Sequence, residues 1–448
     1  MAKSQNMDSP TETIVAIATP PGQGGVGVVR LSGPDSRAIA EKLGGKLPSP
    51  RNASLRTLRA PGGETLDSGL VIVFPGPNSF TGEDVVELQG HGSPVVLEMM
   101  VAACVELGAR RAGPGEFSQR AFLNDRMDLA QAEAVADLIA AATDTAARAA
   151  HRSLEGAFSK EVDELAEALV ELRVWVEAAL DFPDEEIDFL ADGQVAQRVA
   201  DLRARQEELL ARAGTGRLLS SGVRIAIVGR PNAGKSSLLN ALSRHDTAIV
   251  TEVPGTTRDV LRETITIAGL PVTLADTAGI RETADRIETE GVRRAEREMH
   301  AADLIFWVVD AADPEAHPLP GLPENVPLIR IDNKIDLLGQ APTREGRHVR
   351  VSAKTGNGLD LLEQLVVEEL GLNESGGGEY SARQRHVDAI DHAGEHIRRG
   401  QAELAASGSG ELLAEELRLA AEALGEITGR MSSDELLGRI FSSFCIGK

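Results

Sequence analysis

The sequence predicts an α/β plus α protein: an N-terminal α/β domain, then a helical bundle interrupted by a doubly wound α/β nucleotide domain. Three observations predict it. Gly229-Arg230-Pro231-Asn232-Ala233-Gly234-Lys235-Ser236 follows a strand-like run, Val223 to Val228, and enters a helix-like segment from Ser236 to Leu242. From about Met127 to Arg217 the composition shifts to Ala, Leu, Glu and Arg, with almost no Gly or Pro. Helical periodicity resumes at about Ser381 and continues to the end, so amphipathic helices on both sides of an insertion must share a core.

In chain order, Thr13 to Thr19, Val26 to Leu31, Gly69 to Phe74 and Val85 to Leu88 have strand character, and Pro94 to Leu107 reads as a helix. Gly22 to Gly27 formally matches a dinucleotide fingerprint, but the strand-like Val-Val-Arg-Leu-Ser-Gly follows it, so it reads as a glycine turn. His91, between Gly90 and Gly92, has no second ligand at metal spacing and reads as a turn histidine. Leu129, Ala132, Ala136, Ile139 and Thr143 recur at helical spacing. Five acidic residues from Asp181 to Asp188 read as a solvated helix connection rather than a metal site. Asn373 to Gly378 reads as a flexible joint, Ser407 to Gly410 as a helix interruption, and Ser432 with Glu435 as a capping box. The expected domains are 1–124, 125–216, 217–373 and 374–448.

The chemistry starts from the octapeptide. A strand, glycine loop and helix in that order present backbone N–H groups to nucleotide phosphates at a helix N-terminus. Lys235 reaches the outer phosphates, and the Ser236 hydroxyl can ligate Mg²⁺. Asp276-Thr277-Ala278-Gly279 follows a strand and can hold the metal's outer shell while the glycine amide meets the γ-phosphate. Asn333-Lys334-Ile335-Asp336 follows another strand, and a carboxylate at Asp336 accepts from both N1–H and the amino group of guanine. Ser352-Ala353-Lys354 is the usual companion behind that base. Four such motifs, each at a strand's C-terminal end, specify a GTP site and oppose an ATPase or kinase reading. Ile280 stands where many small GTPases carry a water-orienting glutamine, and no arginine finger is visible in the spacing.

The formal net charge of −23 opposes a broad polyanion-binding face. Two cysteines, Cys104 and Cys445, exclude a disulfide framework and fit a reducing compartment. No apolar run reaches about 18 residues and no signal-peptide pattern opens the chain, so the expectation is a cytoplasmic protein without a membrane span.

The phosphate loop with Asn232, the segment Ile249 to Asp259, the segment Asn78 to Asp84 and the terminal Phe444-Cys445-Ile446-Gly447-Lys448 together resemble the MnmE (TrmE) family of tRNA-modifying GTPases. That resemblance implies a Ras-like GTPase domain inserted in the bundle and an N-terminal domain similar to folate-binding folds that makes a constitutive homodimer. It implies K⁺ in place of an arginine finger, held by Asn232 with carbonyls of Thr251, Val253 and Thr256, and Thr257 beside Ser236 on Mg²⁺. It assigns catalytic roles to Glu288, which orients the hydrolytic water, and to Lys235. GTP contacts are implied for residues 232 to 237, where Ala233, Gly234 and Ser237 join those named, for Thr251, Thr256 and Thr257, and for the three downstream motifs. Arg30, Glu87, Arg126 and Lys448 match positions lining a formyl- or methylene-tetrahydrofolate pocket; an ordinary surface pair is the competing reading of Arg30 and Glu87. Arginine at 126, where relatives carry lysine, changes the contact geometry. The implied reaction installs a carboxymethylaminomethyl-type group on C5 of the wobble uridine of certain tRNAs. The implied partner is a FAD- and NADH-dependent flavoprotein of the MnmG (GidA) type in a heterotetramer, with Cys445 a possible participant. The competing class is a ribosome-assembly switch GTPase, disfavoured because only one phosphate loop and no basic, aromatic-interleaved module are present.

Overall fold

The computed structural model describes residues 12–181, 194–245, 262–267, 269–276, 297–313, 322–323, 325–371, 380–430 and 434–447. The chain gathers into two compact units, Met1–Ala136 with Val162–Glu177 and Ala414–Lys448, and Asp137–Glu161 with Ala178–Leu413.

In the first unit the strands are β1 (Ile14–Ile17), β2 (Gly24–Ser32), β3 (Ser54–Arg59), β4 (Thr65–Phe74), β5 (Val85–Gly92) and β6 (Arg110–Arg111). They form one sheet in the order β3-β4-β5-β2-β1-β6, antiparallel except for the β1–β6 pair. Helices α1 (Ser36–Gly44) and α2 (Pro94–Glu106) contribute Ile39, Leu43, Leu97, Met100 and Cys104 to a core shared with Val29, Leu31, Val71 and Leu88. The four expected strands and α2 are present; α1 and β3 were not expected. Both are short, β3 is mostly polar, and neither gives a long periodic apolar run.

Gly24 opens β2 and no helix follows, which excludes the dinucleotide pattern; Gly24 to Gly27 lie in the strand itself, not in the expected turn. His91, expected in a turn, instead lies in β5: its Nδ1 stands 2.8 Å from Asp67 Oδ1, and its backbone N–H donates to Asp67 Oδ2 at 2.8 Å.

The Asn78–Asp84 segment is a polar knot. Ser32 Oγ lies 2.7 Å from Thr81 Oγ1 and donates to Glu83 Oε2 at 2.6 Å, while the Asp84 carbonyl accepts from the Gly33 N–H and the Ser36 hydroxyl. Below it, Arg120 in α3 (Glu116–Leu123) is 1% exposed, with Nη1 donating to Glu83 at 3.0 Å and Nη2 to Glu116 at 3.0 Å. Burial opposes ionisation of Glu116, yet hydrogen bonds from Arg110, the Gly113 amide and Arg120 outweigh it and hold the carboxyl below its ordinary range. This contribution is present above the unfolded carboxylate pKa and is lost as pH falls through the depressed folded value. Removing the cation leaves Glu83 without its cation partner and takes one of two from Glu116, so Arg120→Leu is expected to cost about 3–5 kcal/mol; a urea midpoint equal to the parent's would refute this.

Four helices follow α3: α4 (Leu129–Ala140), α5 (Asp144–Leu154), α6 (Ala157–Asp181) and α7 (Gln194–Ser221). The helical spacing from Leu129 to Thr143 crosses a break. Thr143 is extended and caps α5, its hydroxyl accepting from the Ala146 N–H at 3.1 Å.

The second unit carries a seven-stranded sheet. Its strands are β7 (Val223–Val228), β8 (Arg262–Ile267), β9 (Leu270–Asp276), β10 (Leu304–Asp310), β11 (Leu328–Asn333), β12 (Thr343–Glu345) and β13 (His348–Arg350). The order is β12-β13-β11-β10-β7-β9-β8, parallel throughout except at the two edge pairs. Helices α8 (Lys235–His245) and α9 (Leu359–Glu369) cover it with Leu238, Leu242, Leu362 and Val366. A parallel sheet puts every strand's C-terminal end on one edge, which collects the motifs.

The chain leaves α7 for β7 through Gly222 and returns to helix at α10 (Gln384–Ser407), which packs along α7. Buried Gln206 donates to the Ile390 carbonyl at 2.8 Å, and a side chain at Gly394 would collide with Gln206. Gly408, at φ 67°, separates α10 from α11 (Gly410–Thr428), and α12 (Asp434–Ser442) follows. In the first unit α12 packs Leu437 and Phe441 against Phe122 and Leu129. The chain end then joins the N-terminal domain: Ile446 bridges to Pro114, and the Gly115 N–H donates to the Cys445 carbonyl at 3.3 Å. The expected joint at 373–378, the acidic stretch beyond Asp181 and the Ser432 capping box lie outside the described residues.

Candidate nucleotide site and a second pocket

β7 delivers the chain into the glycine loop at the sheet's C-terminal edge, and α8 starts at Lys235. Asn232 adopts φ 63° and Gly234 φ 95°, both left-handed. A side chain at Gly229 would stand 2.2 Å from the Val308 carbonyl oxygen, and one at Gly234 2.2 Å from Asn333 Nδ2. Lys235 is buried, and its Nζ donates to the carbonyls of Gly229 (2.8 Å) and Arg230 (2.9 Å). The ammonium is thereby held inside the loop's curve, where a phosphate would sit. Ser236 and Ser237 lie exposed on the first turn of α8.

Asn333 binds the motifs together. It is 1% exposed, its Nδ2 donates to the Ala233 carbonyl at 3.1 Å, and its Oδ1 accepts from the N–H groups of Lys334 (2.8 Å) and Ala353 (3.0 Å). Three loops distant in sequence therefore meet on one side chain, and its polar atoms are engaged with protein. Lys334, at φ 70°, donates to the Asn232 carbonyl and to Asp310 Oδ2 (2.8 Å). That ammonium, with the Ala312 N–H, holds the Asp310 carboxyl below its ordinary range. The Ser352 hydroxyl donates to Asp336 Oδ1 at 2.7 Å, which orients the carboxylate, while Lys354 is exposed. Sequence reasoning did not find Asp310; its only local signal is its place at a parallel strand's end.

Asp276 ends β9, with its side chain outside the described residues, as are Thr251, Val253, Thr256, Thr257, Thr277, Ala278, Gly279, Glu288 and Lys448.

The N-terminal sheet builds a second pocket of about 520 Å³. Arg30 and Glu87 are direct cross-strand partners, with Nη2 and Nε donating to Oε1 at 2.8 and 3.0 Å. The guanidinium lies over Phe80 (5.5 Å) and Phe117 (5.9 Å), half-buried rather than solvated. Arg126 lines the same pocket, as does Arg51, which sequence reasoning missed. Cys445 is an exposed free thiol, whereas burial pushes the Cys104 thiol up to about 12. Among the described residues, no group of three His, Cys, Asp or Glu side chains could hold a metal, and no helix is long and apolar enough to cross a membrane.

A phosphate loop tied through one buried asparagine to an Asn-Lys-Ile-Asp turn, on the C-terminal edge of a parallel sheet, defines a P-loop protein of the GTP-hydrolysing class. Residues 129–445 match the family described as the MnmE helical domain, and residues 13–126 match that of the GTP-binding protein TrmE N-terminus. The chain belongs to the MnmE family. It is 54% identical over 452 residues to the tRNA modification GTPase MnmE of Stutzerimonas stutzeri, covering 98% of this chain and 99% of that protein. It is 53% identical over 456 residues to the protein of the same name from Pseudomonas syringae pv. tomato, covering 99% and 100%. Solved structures similar to parts of it include Aquifex aeolicus Era bound to GDP and aluminium fluoride, at 25% identity over 39% of this chain and 66% of that one, TM-score 0.26. The G domain of the T. maritima FeoB iron transporter matches at 24% identity over 33% of this chain and 98% of that one, TM-score 0.24.

Proposed function

We propose that this chain is a cytoplasmic, K⁺-dependent GTP hydrolase of tRNA modification. Working as a homodimer with an FAD- and NADH-dependent flavoprotein of the MnmG type in a heterotetramer, it adds a carboxymethylaminomethyl-type group to C5 of the wobble uridine. The work is divided over residues 1–124, 125–216, 217–373 and 374–448. Its identification as a tRNA modification GTPase rests on family membership over nearly the whole chain. The observation that carries the guanine reading is Asp336, oriented by Ser352 beside a loop that Asn333 fixes to the phosphate site.

Lys235 meets the outer phosphates, the helix N-terminus at Ser236 and Ser237 faces the anion, and Asp336 takes the base. The donors assigned to the cations are all oxygens, as hard ions require: Ser236 and Thr257 for Mg²⁺, and Asn232 with the carbonyls of Thr251, Val253 and Thr256 for K⁺. The left-handed Asn232 stands exposed on the loop, open to such a role. When bound, these ions supply the positive charge that an arginine finger gives elsewhere. Glu288 orients the attacking water, since Ile280 cannot.

In the N-terminal domain a half-buried Arg30–Glu87 pair against an aromatic ring fits the polar edge of a flat heterocycle, so the pocket fits a formyl- or methylene-tetrahydrofolate. Arg126 and Lys448 complete that assignment, and Cys445 stands near enough in sequence to Lys448 to be tested alongside it.

The deciding measurement is mass spectrometry of wobble uridines in tRNA from cells lacking the chain, which should show loss of the C5 substituent; intact modification rules the function out. In vitro, turnover in potassium buffer should exceed that in sodium, and Glu288→Ala should keep GTP affinity while hydrolysis falls by about 100-fold. Unchanged turnover of that variant at saturating K⁺ would remove Glu288 from catalysis.

A further inference from the structure

The N-terminal pocket carries more positive charge than its Arg30–Glu87 pair uses. Among the described residues, Arg30, Arg51 and Arg126 face it with a single carboxylate, Glu87, and Arg30 spends itself on that carboxylate. Neither Arg51 nor Arg126 has a carboxylate partner among the described residues.

The polarity is graded. The Arg30–Glu87 pair is half-buried against Phe80, whereas Arg51 and Arg126 are exposed at the margin. A ligand with a flat hydrogen-bonding head and an anionic tail matches that gradient, head on the pair and tail at the exposed cations.

Arg51 is also held in place at some conformational cost. It adopts φ 63°, a region more easily occupied by Gly or Asn. Its backbone N–H donates to the Val73 carbonyl at 2.8 Å, its guanidinium stands 5.8 Å from the Phe74 ring centroid, and Nη2 donates to the Asn78 carbonyl. These contacts fix the fork yet leave Nε and Nη1 without an acceptor among the described residues. An ordinary surface arginine needs no such anchoring; a binding group gains from it, because less freedom is lost when the ligand arrives.

We propose that Arg51 is the seat of the ligand's free carboxylate, binding the glutamate tail of a reduced folate through the face of its guanidinium that the protein leaves open. The inference rests on the reduced-folate reading of this pocket. It adds to that reading a residue and the part of the ligand it recognises.

The test is calorimetry on the full-length chain with two ligands, 5-formyltetrahydrofolate and the pteroate counterpart lacking glutamate, on the parent and on Arg51→Gln and Arg51→Lys. Removing the tail should weaken binding to the parent by about tenfold, as expected for one charge-assisted contact. Arg51→Gln should weaken the glutamate-bearing ligand by about as much and leave the tailless one within about twofold. Arg51→Lys should fall between them, and the tail's advantage should shrink as salt is raised. Equal weakening of both ligands by Arg51→Gln would mean that Arg51 only steadies the Asn78 segment, and no weakening of either would make it a bystander; each outcome overturns the assignment. Absence of binding by both ligands to the parent would remove the folate reading itself, and the inference with it. Binding of both with no dependence on Arg51 would leave the folate reading standing alone.

Discussion

Asp336→Asn is expected to lose GTP and to accept xanthosine triphosphate in its place. Guanine offers two donors on this edge, N1–H and the 2-amino group, and a carboxylate accepts both. Asp336 Oδ1 already accepts from the Ser352 hydroxyl at 2.7 Å, so the carboxylate's rotation is set before the base arrives. In the variant Oδ1 can keep the serine and N1–H, but Nδ2 then faces the 2-amino group, donor against donor. Xanthine carries a carbonyl at that position and restores the pair. GTP affinity should fall by about 100-fold or more, with xanthosine triphosphate binding rising above it. Competition against a fluorescent nucleotide measures both. Retention of guanine preference by the variant would place the base elsewhere.

Gly234→Ala should weaken nucleotide binding severely while leaving the rest of the fold intact. The φ of 95° strains any L-residue, and the new methyl would stand 2.2 Å from Asn333 Nδ2. Asn333 cannot yield, because its amide and carbonyl hold three loops at once. The methyl must therefore push the phosphate loop off the base-binding turn, and GTP affinity should drop by about 100-fold or more, while the local strain costs about 1–3 kcal/mol of stability. Gly214→Ala is the control: it sits inside α7 with open space around it and a helical backbone, and should instead add up to about 1 kcal/mol. Calorimetry for GTP and thermal melting for both variants separate a local lesion from a global one. Normal GTP binding by Gly234→Ala would show that the loop and Asn333 do not need their present spacing.

Much of the nucleotide site was legible because each of its parts is local. A strand, a glycine turn and a helix start lie within one short stretch, Val223 to Lys235, and their order alone implies phosphate binding. The strands before Asp276, Asn333 and Ser352 were likewise readable from short apolar runs. The role of Asn333 was not, because its partner Ala233 lies 100 residues away and nothing in either segment announces the other. The helix break at Thr143 escaped for a different reason: an alanine-rich stretch keeps helical spacing across a short gap, and only the cap geometry reveals the end. His91 looked like a turn residue between two glycines, but those glycines serve a sheet in which Asp67 approaches closely.

The Asn78–Asp84 segment marks the division most clearly. As sequence it served only as a mark of resemblance, whereas folded it is a buried network of hydroxyls and carboxylates on Arg120 and at the same time a wall of the pocket that holds Arg30, Arg51 and Glu87. The chain by itself determined the class of nucleotide, the alternation of sheet and helix, and the family, since these depend on residue type, period and short spacings. Tertiary structure alone decided which distant side chains share a hydrogen bond and which cations are left over at a pocket's edge. Those outcomes depend on strand register and loop closure, and neither is written in any one stretch of residues.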